Sequence, residues 1–470
     1  MSDIAAKVVV QSPDRFIQKA MKVYGLKTIE DRAIPDLRDG LKPVQRRILW
    51  AMKNLGNAEQ FRKSARIVGE TMGNYHSHGD LAIYGALVTM ANFSTPFVDG
   101  GGNWGNPATG DNAASMRYTE CRLSEFSVKY LLDPEYLEVT ELAPNYDNTL
   151  KEPVVLPALV PTIFFSAAQG IAVGVSTTFP AFTEKFIKTA TKKFLSGVKP
   201  TAKWLAKNVE FEYRGGGNCI TPTEDIEKLF TEGVCSVEFE VDYNVDANKR
   251  QLFINSNAAA MNIEQKIKQV QDLQTVRSVM NETTDDIRYI IEFKPSVNTK
   301  EVNELAEQIV KKYFTKRVKY STAITVRELT KDGDETTADF AELPVIDIFK
   351  DWAEWRIDLE VRMLQHRLAK LETKVRNERV LLRASKQVVA LAKLISKKDN
   401  VPLTERVAKL LKIKKEEAEL VLSRTLRSLS AMEQSTVRKT IQKLTQDIVD
   451  TKASLNNPEE SCIKKLAALG

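Results

Sequence analysis

Tyr118 directly follows Arg117 in "AASMRYTECRLS", residues 113–124, a run of small and polar side chains. A phenol titrates near pKa ~10 and is a poor nucleophile at neutral pH. It suits a reaction whose intermediate must survive as a stable ester and later be reversed. A guanidinium beside it could neutralise a phosphate in the transition state. The same dipeptide also reads as a half-buried tyrosine next to a surface arginine, and two residues do not separate these readings. His76 and His78 in "YHSHGD" could begin a zinc site, but no third ligand of matching spacing accompanies them and no metal centre is assigned.

These residues sit in a chain of 470, too long for one core, so two to four domains are expected. With 43% hydrophobic and 28% charged residues the composition is that of a soluble globular protein. The net charge of +6 favours an anionic partner only weakly. Its distribution says more. Between Arg32 and Arg66 lie Arg38, Lys42, Arg46, Arg47, Lys53, Arg62 and Lys63 with few acids among them, a surface of the kind duplex DNA recruits. Cys121, Cys219, Cys235 and Cys462 are far apart with no CxxC spacing, which argues against a disulfide framework and for a reducing, cytoplasmic setting. No apolar stretch has membrane-spanning length, the N-terminus lacks a signal-peptide layout, and there is no GxxxxGK[ST] phosphate loop.

The pattern along the chain predicts an α+β multidomain protein. Residues 1–29 read as an amphipathic arm. In 30–150, "KPVQRRILWAMKNLG" carries Val44, Ile48, Leu49 and Met52 at helical spacing, with Pro43 suited to a first turn and Gly56 to a stop. A second helix follows in "RKSARIVGETMG", and the pair reads as a helix-turn-helix with basic residues on the second member. Residues 151–343 alternate strands such as "CSVEFEVDYNV", "QLFINS" and "DIRYIIEFK" with helices such as "NTKEVNELAEQIVKKYF". From 344 to 470, Ile357, Val361, Leu364, Leu368, Leu371 and Val375 form a heptad seam, answered by Val437, Ile441, Leu444 and Ile448. Two long helices joined through short helical pieces predict an antiparallel coiled coil with a tip, a shape that commonly dimerises.

The stretches "RAIPDLRDGLKPVQRRILWAM", "KSARIVGETMGNYHSHGD", "VDGGGNWGNPATGDNAASMRYTECRLS" and "GIAVGVSTTFPAF" occur in that order. Together with "AELVLSRTLRSLSAMEQ" they resemble the breakage-reunion subunit of type IIA DNA topoisomerases, the A subunit of gyrase and of topoisomerase IV. The resemblance implies a winged-helix DNA-cleavage domain at 30–150, a tower domain at 151–343, and a coiled coil with a C-gate dimerisation tip at 344–470. It implies that Tyr118 attacks a DNA phosphodiester and becomes joined to the 5′ phosphate, with Arg117 and Arg32 at the scissile phosphate. Lys42, Arg46, Arg47, Arg66, His76 and His78 match DNA-facing positions, and Gln45, where gyrases often have histidine, receives no role. Ile171 matches an isoleucine that wedges between bases, although "GIAVGV" also reads as a buried strand.

The family's magnesium-holding carboxylate set is not found here, so the resemblance puts both Mg2+ and ATP on a partner B subunit, in an A2B2 assembly around double-stranded DNA. No DNA-wrapping domain follows the coiled coil, which leads to an expectation of relaxation and decatenation rather than negative supercoiling, and of a compact, bacteriophage-type protein. In drug-sensitive relatives a serine and an acidic residue after the HxHGD motif hold fluoroquinolones through a hydrated magnesium ion; Leu81 and Gly85 stand there in this sequence. Two rival readings remain open from the residues alone, a tyrosine recombinase or nicking enzyme and a noncatalytic DNA-bending protein.

Overall fold

A computed structural model of the chain describes residues 34–56, 58–172, 175–259, 261–284, 286–326, 339–397, 399–425 and 434–469, with Pro13, Asp14, Ile17, Met21 and Leu429. Arg32 and nearly all of the expected arm at 1–29 lie outside these residues, as does part of the segment 423–434. The chain forms two compact units, residues 1–356 with 466–470, and residues 357–465. Helix and sheet are mixed throughout the first, and the protein is of the α+β class.

Helix α1 (Pro43–Asn54) begins where the sequence places it. Pro43 has the fixed φ of a first turn and no amide to satisfy. The Gln45 side chain accepts the Lys42 amide at 3.0 Å, which gives Gln45 a capping function. The helix stops as Leu55 N–H bonds Ala51 O and Gly56 N–H bonds Lys53 O, with Gly56 at φ +66, a conformation glycine adopts without strain. Ile48, Leu49 and Met52 are fully buried. Strand β1 (Arg62–Lys63) leads into α2 (Ser64–Asn74), which buries Ile67, Val68 and Thr71, and α3 (Asp80–Ala91) buries Ile83, Leu87 and Met90. Each such aliphatic side chain contributes about 1.5–3 kcal/mol on leaving water, so the three helices form one core. Strands β2 (Val98–Gly101) and β3 (Glu120–Leu123) close it with an antiparallel sheet in the order β1-β3-β2, in which Cys121 pairs with Arg62 on one side and Gly100 on the other.

Two antiparallel sheets follow. The five-stranded one includes the hairpin of β4 (Gln169–Ala172) and β5 (Val175–Thr178), and centres on the pairing of 234–240 with 315–321, where Val237 faces Val318. The four-stranded one is built from 243–246, 251–254, 276–281 and 289–293. Alternation of buried and open positions along 234–240 is the period-2 pattern of a sheet with one covered face.

A long helix starts at Val345 and ends at Lys386, and its part in the second unit, from Ile357 on, is met by an antiparallel partner, Gln434–Leu455. Ser461 bonds Glu360 at 2.7 Å and Lys452 approaches Glu372 at 3.6 Å, so one segment descends as the other rises. Leu364, Leu371, Val375 and Val437 of the two heptad seams are buried. Short helices at 388–396, 403–411 and 415–422 enclose a separate core of Leu391, Val407, Leu411, Ala418 and Val421.

Candidate active site

The tyrosine loop is fixed by its backbone and open at its side chain. Helix α2 starts with amides that have no partner within the helix. Two of them are satisfied by the loop: Ser64 N–H donates to Thr119 O at 3.0 Å and Ala65 N–H to Met116 O at 3.2 Å. The Thr119 hydroxyl, fully buried, donates to Ser64 Oγ at 2.8 Å and lies 2.9 Å from the Tyr84 hydroxyl, which itself donates to Ala114 O at 2.6 Å. On the far side Ala114 N–H bonds Asn103 O, and Gly105 turns the chain at φ +74 where a Cβ would lie 2.5 Å from Asp111 O. Tyr118 remains 64% exposed beside a residue with no exposure at all.

Arg117 is also exposed, and its guanidinium lies 4.8 Å from the centre of the Tyr118 ring. A phosphate arriving at the phenol therefore meets a cation already there. The nearby Cys121 is no competitor as nucleophile, because burial pushes its thiol up to about 12. Ser64, Tyr84 and Thr119, which hold the loop, carry no catalytic signature in the sequence; only their place beside the quoted motifs hints at them.

The other expected residues fall into four groups. Arg66 is exposed on α2. Lys42 and Ile171 come together around a cleft of ≈ 470 Å³ lined also by Gly170 and Thr177. The Lys42 ammonium bonds Gln169 O, and burial pulls its pKa below the ordinary lysine value. Ile171 belongs to the β4–β5 hairpin but is 87% exposed, so the strand is real and the buried reading of its side chain is wrong.

His76, by contrast, is buried. Its Nδ1 lies 3.0 Å from Arg47 Nη1, and its ring stacks on exposed His78 at 4.5 Å. Arg47 grips Glu152 through Nε and Nη2 at 2.9 and 2.8 Å, so its charge is already paired.

Arg46 corrects the sequence reading. It is not on the surface: 8% exposed, it forms a two-pronged pair with Asp39 at 2.5 and 2.8 Å and donates to Leu41 O at 3.1 Å. Asp39 also accepts the Leu156 amide at 2.8 Å, and Thr162 Oγ1 donates to Asp39 O. The turn that presents Asp39 needs Gly40, at φ +64, where a Cβ would collide with Ile163 N. Removing one member of a buried pair costs about 3–5 kcal/mol. Arg46→Ala is therefore expected to lower the unfolding free energy by about that much, whereas Arg66→Ala leaves stability within about 0.5 kcal/mol. If Arg66 faces duplex DNA as the resemblance implies, Arg66→Ala instead shallows the salt dependence of DNA binding by about 0.9 in log–log slope. Denaturant melts and binding titrations check both, and the reverse assignment of effects would overturn this partition.

Ile171→Ala is expected to leave affinity nearly unchanged, because phosphate contacts dominate it. If Ile171 is the wedge that the resemblance implies, the bend angle and the cleavage yield fall, because an apolar wedge acts on the deformed duplex. Bend measurements by fluorescence energy transfer test this, and an unaltered angle would remove the wedge.

The sequence profile of the family described as the A subunit of DNA gyrase/topoisomerase IV matches residues 32–467. The A subunit of DNA topoisomerase 4 from Escherichia coli K12 is 32% identical over 456 residues, covering 93% of this chain and 58% of the relative. The Haemophilus influenzae protein of the same name is 29% identical and covers 97% and 61%. The DNA gyrase A subunit of Brachyspira hyodysenteriae is 29% identical and covers 97% and 55%. The chain thus spans a little over half the length of these relatives. A profile match over nearly the whole chain, with relatives at about 30% identity over more than nine-tenths of it, shows that this chain belongs to the family of DNA gyrase and topoisomerase IV A subunits.

Proposed function

We propose that the chain is the DNA breakage-reunion subunit of a type IIA topoisomerase, cutting both strands of a duplex through 5′-phosphotyrosine links and resealing them after strand passage. One observation carries the reading: an exposed phenol on a loop pinned at its backbone, with an arginine against its ring. The Tyr118 oxygen bonds to phosphorus as the bond to the 3′ oxygen breaks, and the phenolic proton is exchanged for one on the leaving hydroxyl. One phosphodiester replaces another, so resealing is the same step reversed and needs no energy source. Negative charge gathers on the non-bridging oxygens, where Arg117 and Arg32 are assigned; losing such a donor typically costs ~2.7–4 kcal/mol of barrier.

In this proposal residues 30–150 are a winged-helix cleavage domain, 151–343 a tower, and 344–470 a coiled coil with a C-gate. Two copies form the gate, and an ATPase/Toprim B subunit completes an A2B2 enzyme working in the cytoplasm. Mg2+ and ATP are assigned to that partner. Bound there, magnesium would stabilise charge on the leaving 3′ oxygen. Among the described residues, no helix is long and apolar enough to cross a membrane.

The test combines the chain, a B subunit, magnesium and supercoiled plasmid, followed by a detergent trap. Double-strand breaks with tyrosine on 5′ ends are the expected result. Nicks with 3′ adducts would select a recombinase-like enzyme, and bent but intact DNA an architectural protein. The proposed output is relaxation and decatenation; ATP-dependent negative supercoiling of relaxed plasmid by the same mixture would overturn that part alone.

A further inference from the structure

The basic excess of this protein lies within its second unit. Residues 357–465 carry 24 Lys and Arg against 14 Asp and Glu, a net +10, which leaves the rest of the chain with 44 against 48 and a net −4. The excess is concentrated on the long helix, where 366–386 holds seven Lys and Arg against two Glu. Within the second unit that helix and its antiparallel partner border an open cleft of ≈ 510 Å³. Arg376, Arg379 and Arg383 line it at i, i+3 and i+7, a spacing that puts all three on one helical face over about 10 Å. All three are exposed, and Arg376 and Arg379 have no carboxylate partner among the described residues; Arg383 donates only to the Lys412 carbonyl at 3.3 Å. The cleft's acids are engaged elsewhere, Glu372 with Lys452 at 3.6 Å and Glu417 with the Lys414 amide at 2.9 Å.

We propose that this arginine row is a second duplex-DNA surface, which holds the phosphate backbone without reading sequence. Duplex DNA presents one charge per about 1.7 Å of axis, so several phosphates fall within the row's span. Guanidinium groups match phosphate geometry two-pronged. Composition selects this partner over others. Residues 357–465 contain no Phe, Trp or Tyr. Single strands are held largely by stacking on aromatic rings, and protein hot spots draw on Trp and Tyr as well as Arg. A long, aromatic-free, strongly basic helix pair offers charge and shape alone, which suits a stacked duplex. This surface is read from the second unit by itself and needs none of the cleavage chemistry proposed above.

The test uses the full chain and a 30-bp duplex of arbitrary sequence. Phenylglyoxal, which modifies exposed arginines, is applied with and without the duplex, and modified positions are mapped by mass spectrometry. Protection of Arg376, Arg379 and Arg383 that disappears at high salt is the expected result. In parallel, R376Q/R379Q/R383Q should shallow the log–log salt slope of duplex binding by about 2.7, while R376K/R379K/R383K retains the native slope. Full modification of all three arginines with DNA bound elsewhere on the chain would overturn the proposal. Protection by polyglutamate but not by the duplex would equally overturn it, in favour of an acidic protein partner. Should the glutamine variant fail to fold, protection in the native chain decides the matter alone. Since no assay here depends on Tyr118, failure of this surface and failure of the cleavage reading are told apart.

Discussion

Tyr118→Phe is expected to abolish covalent DNA cleavage, with no detergent-trapped adduct above background, while duplex affinity stays within about twofold. The change removes one oxygen and nothing else. The ring remains for Arg117 to lie against at 4.8 Å, and a cation over a phenyl face contributes about 0.5–1 kcal/mol at an exposed site with or without the hydroxyl. Folding should be unaffected, since the side chain is 64% exposed and the loop is held through the backbone and Thr119 rather than through the phenol. Stability changes at such positions usually stay within about 0.5 kcal/mol. Cys121 cannot substitute as nucleophile, being buried and protonated. Trapped-complex gels and filter binding on the same preparation check both halves. Adducts at the native level in the variant would dissociate Tyr118 from the chemistry.

Much of the frame was legible in the sequence. Helix α1 has its proline, its apolar spacing and its terminal glycine where the rules put them, and the two heptad seams mark out the long antiparallel helices. The short strands β1, β2 and β3 were not legible, because two to four residues are too few for alternation to register. Arg46 was misread for a different reason. Seven of the twelve positions in α1 are buried, so no polar face marks which arginine points outward. Its partner Asp39 lies seven residues back, beyond a turn that exists only because Gly40 takes a positive φ. Resemblance conveyed residue type there but not direction. Ile171 shows the converse: its motif also reads as a buried strand, and the resemblance to a wedging isoleucine conveyed the outward direction that the alternation alone did not.

The chain is further expected to respond weakly to fluoroquinolones, and Leu81→Ser/Gly85→Asp to gain sensitivity by about two orders of magnitude. The drug's hydrated magnesium needs a hydroxyl and a carboxylate on one face of the helix after the HxHGD motif. Positions 81 and 85 of α3 are four apart, hence neighbours on that face. Leu81 is 81% exposed but offers no acceptor, and Gly85 has no side chain. Each charge-assisted hydrogen bond lost is worth about 1.5–3 kcal/mol, and every 1.4 kcal/mol is about tenfold in affinity. Both substitutions fit the fold: a Cβ at Gly85 meets no atom within 4 Å, and position 81 lies in the open. Stacking of the drug between bases is untouched, so weak poisoning at high concentration persists in the native chain. Cleavage assays across a drug series check this. Native poisoning at the concentrations that affect sensitive enzymes, with no gain in the double variant, would refute it.

The way the tyrosine loop meets α2 and α3 also governs how the protein carries force. In the proposed intermediate a cut DNA end is tied to one phenolic oxygen, and any pull on that end enters the chain at Tyr118. The next residue is locked to Ser64 at the head of α2 and to Tyr84 in the middle of α3, and Met116 and Thr119 accept the first amides of α2. Tension is therefore shared at once between two helices that are packed into the same core. Hydrogen bonds loaded side by side must break together, whereas those at the end of a free loop would unzip one after another. A severed DNA end would thus be held by a whole domain rather than by a strand of peptide.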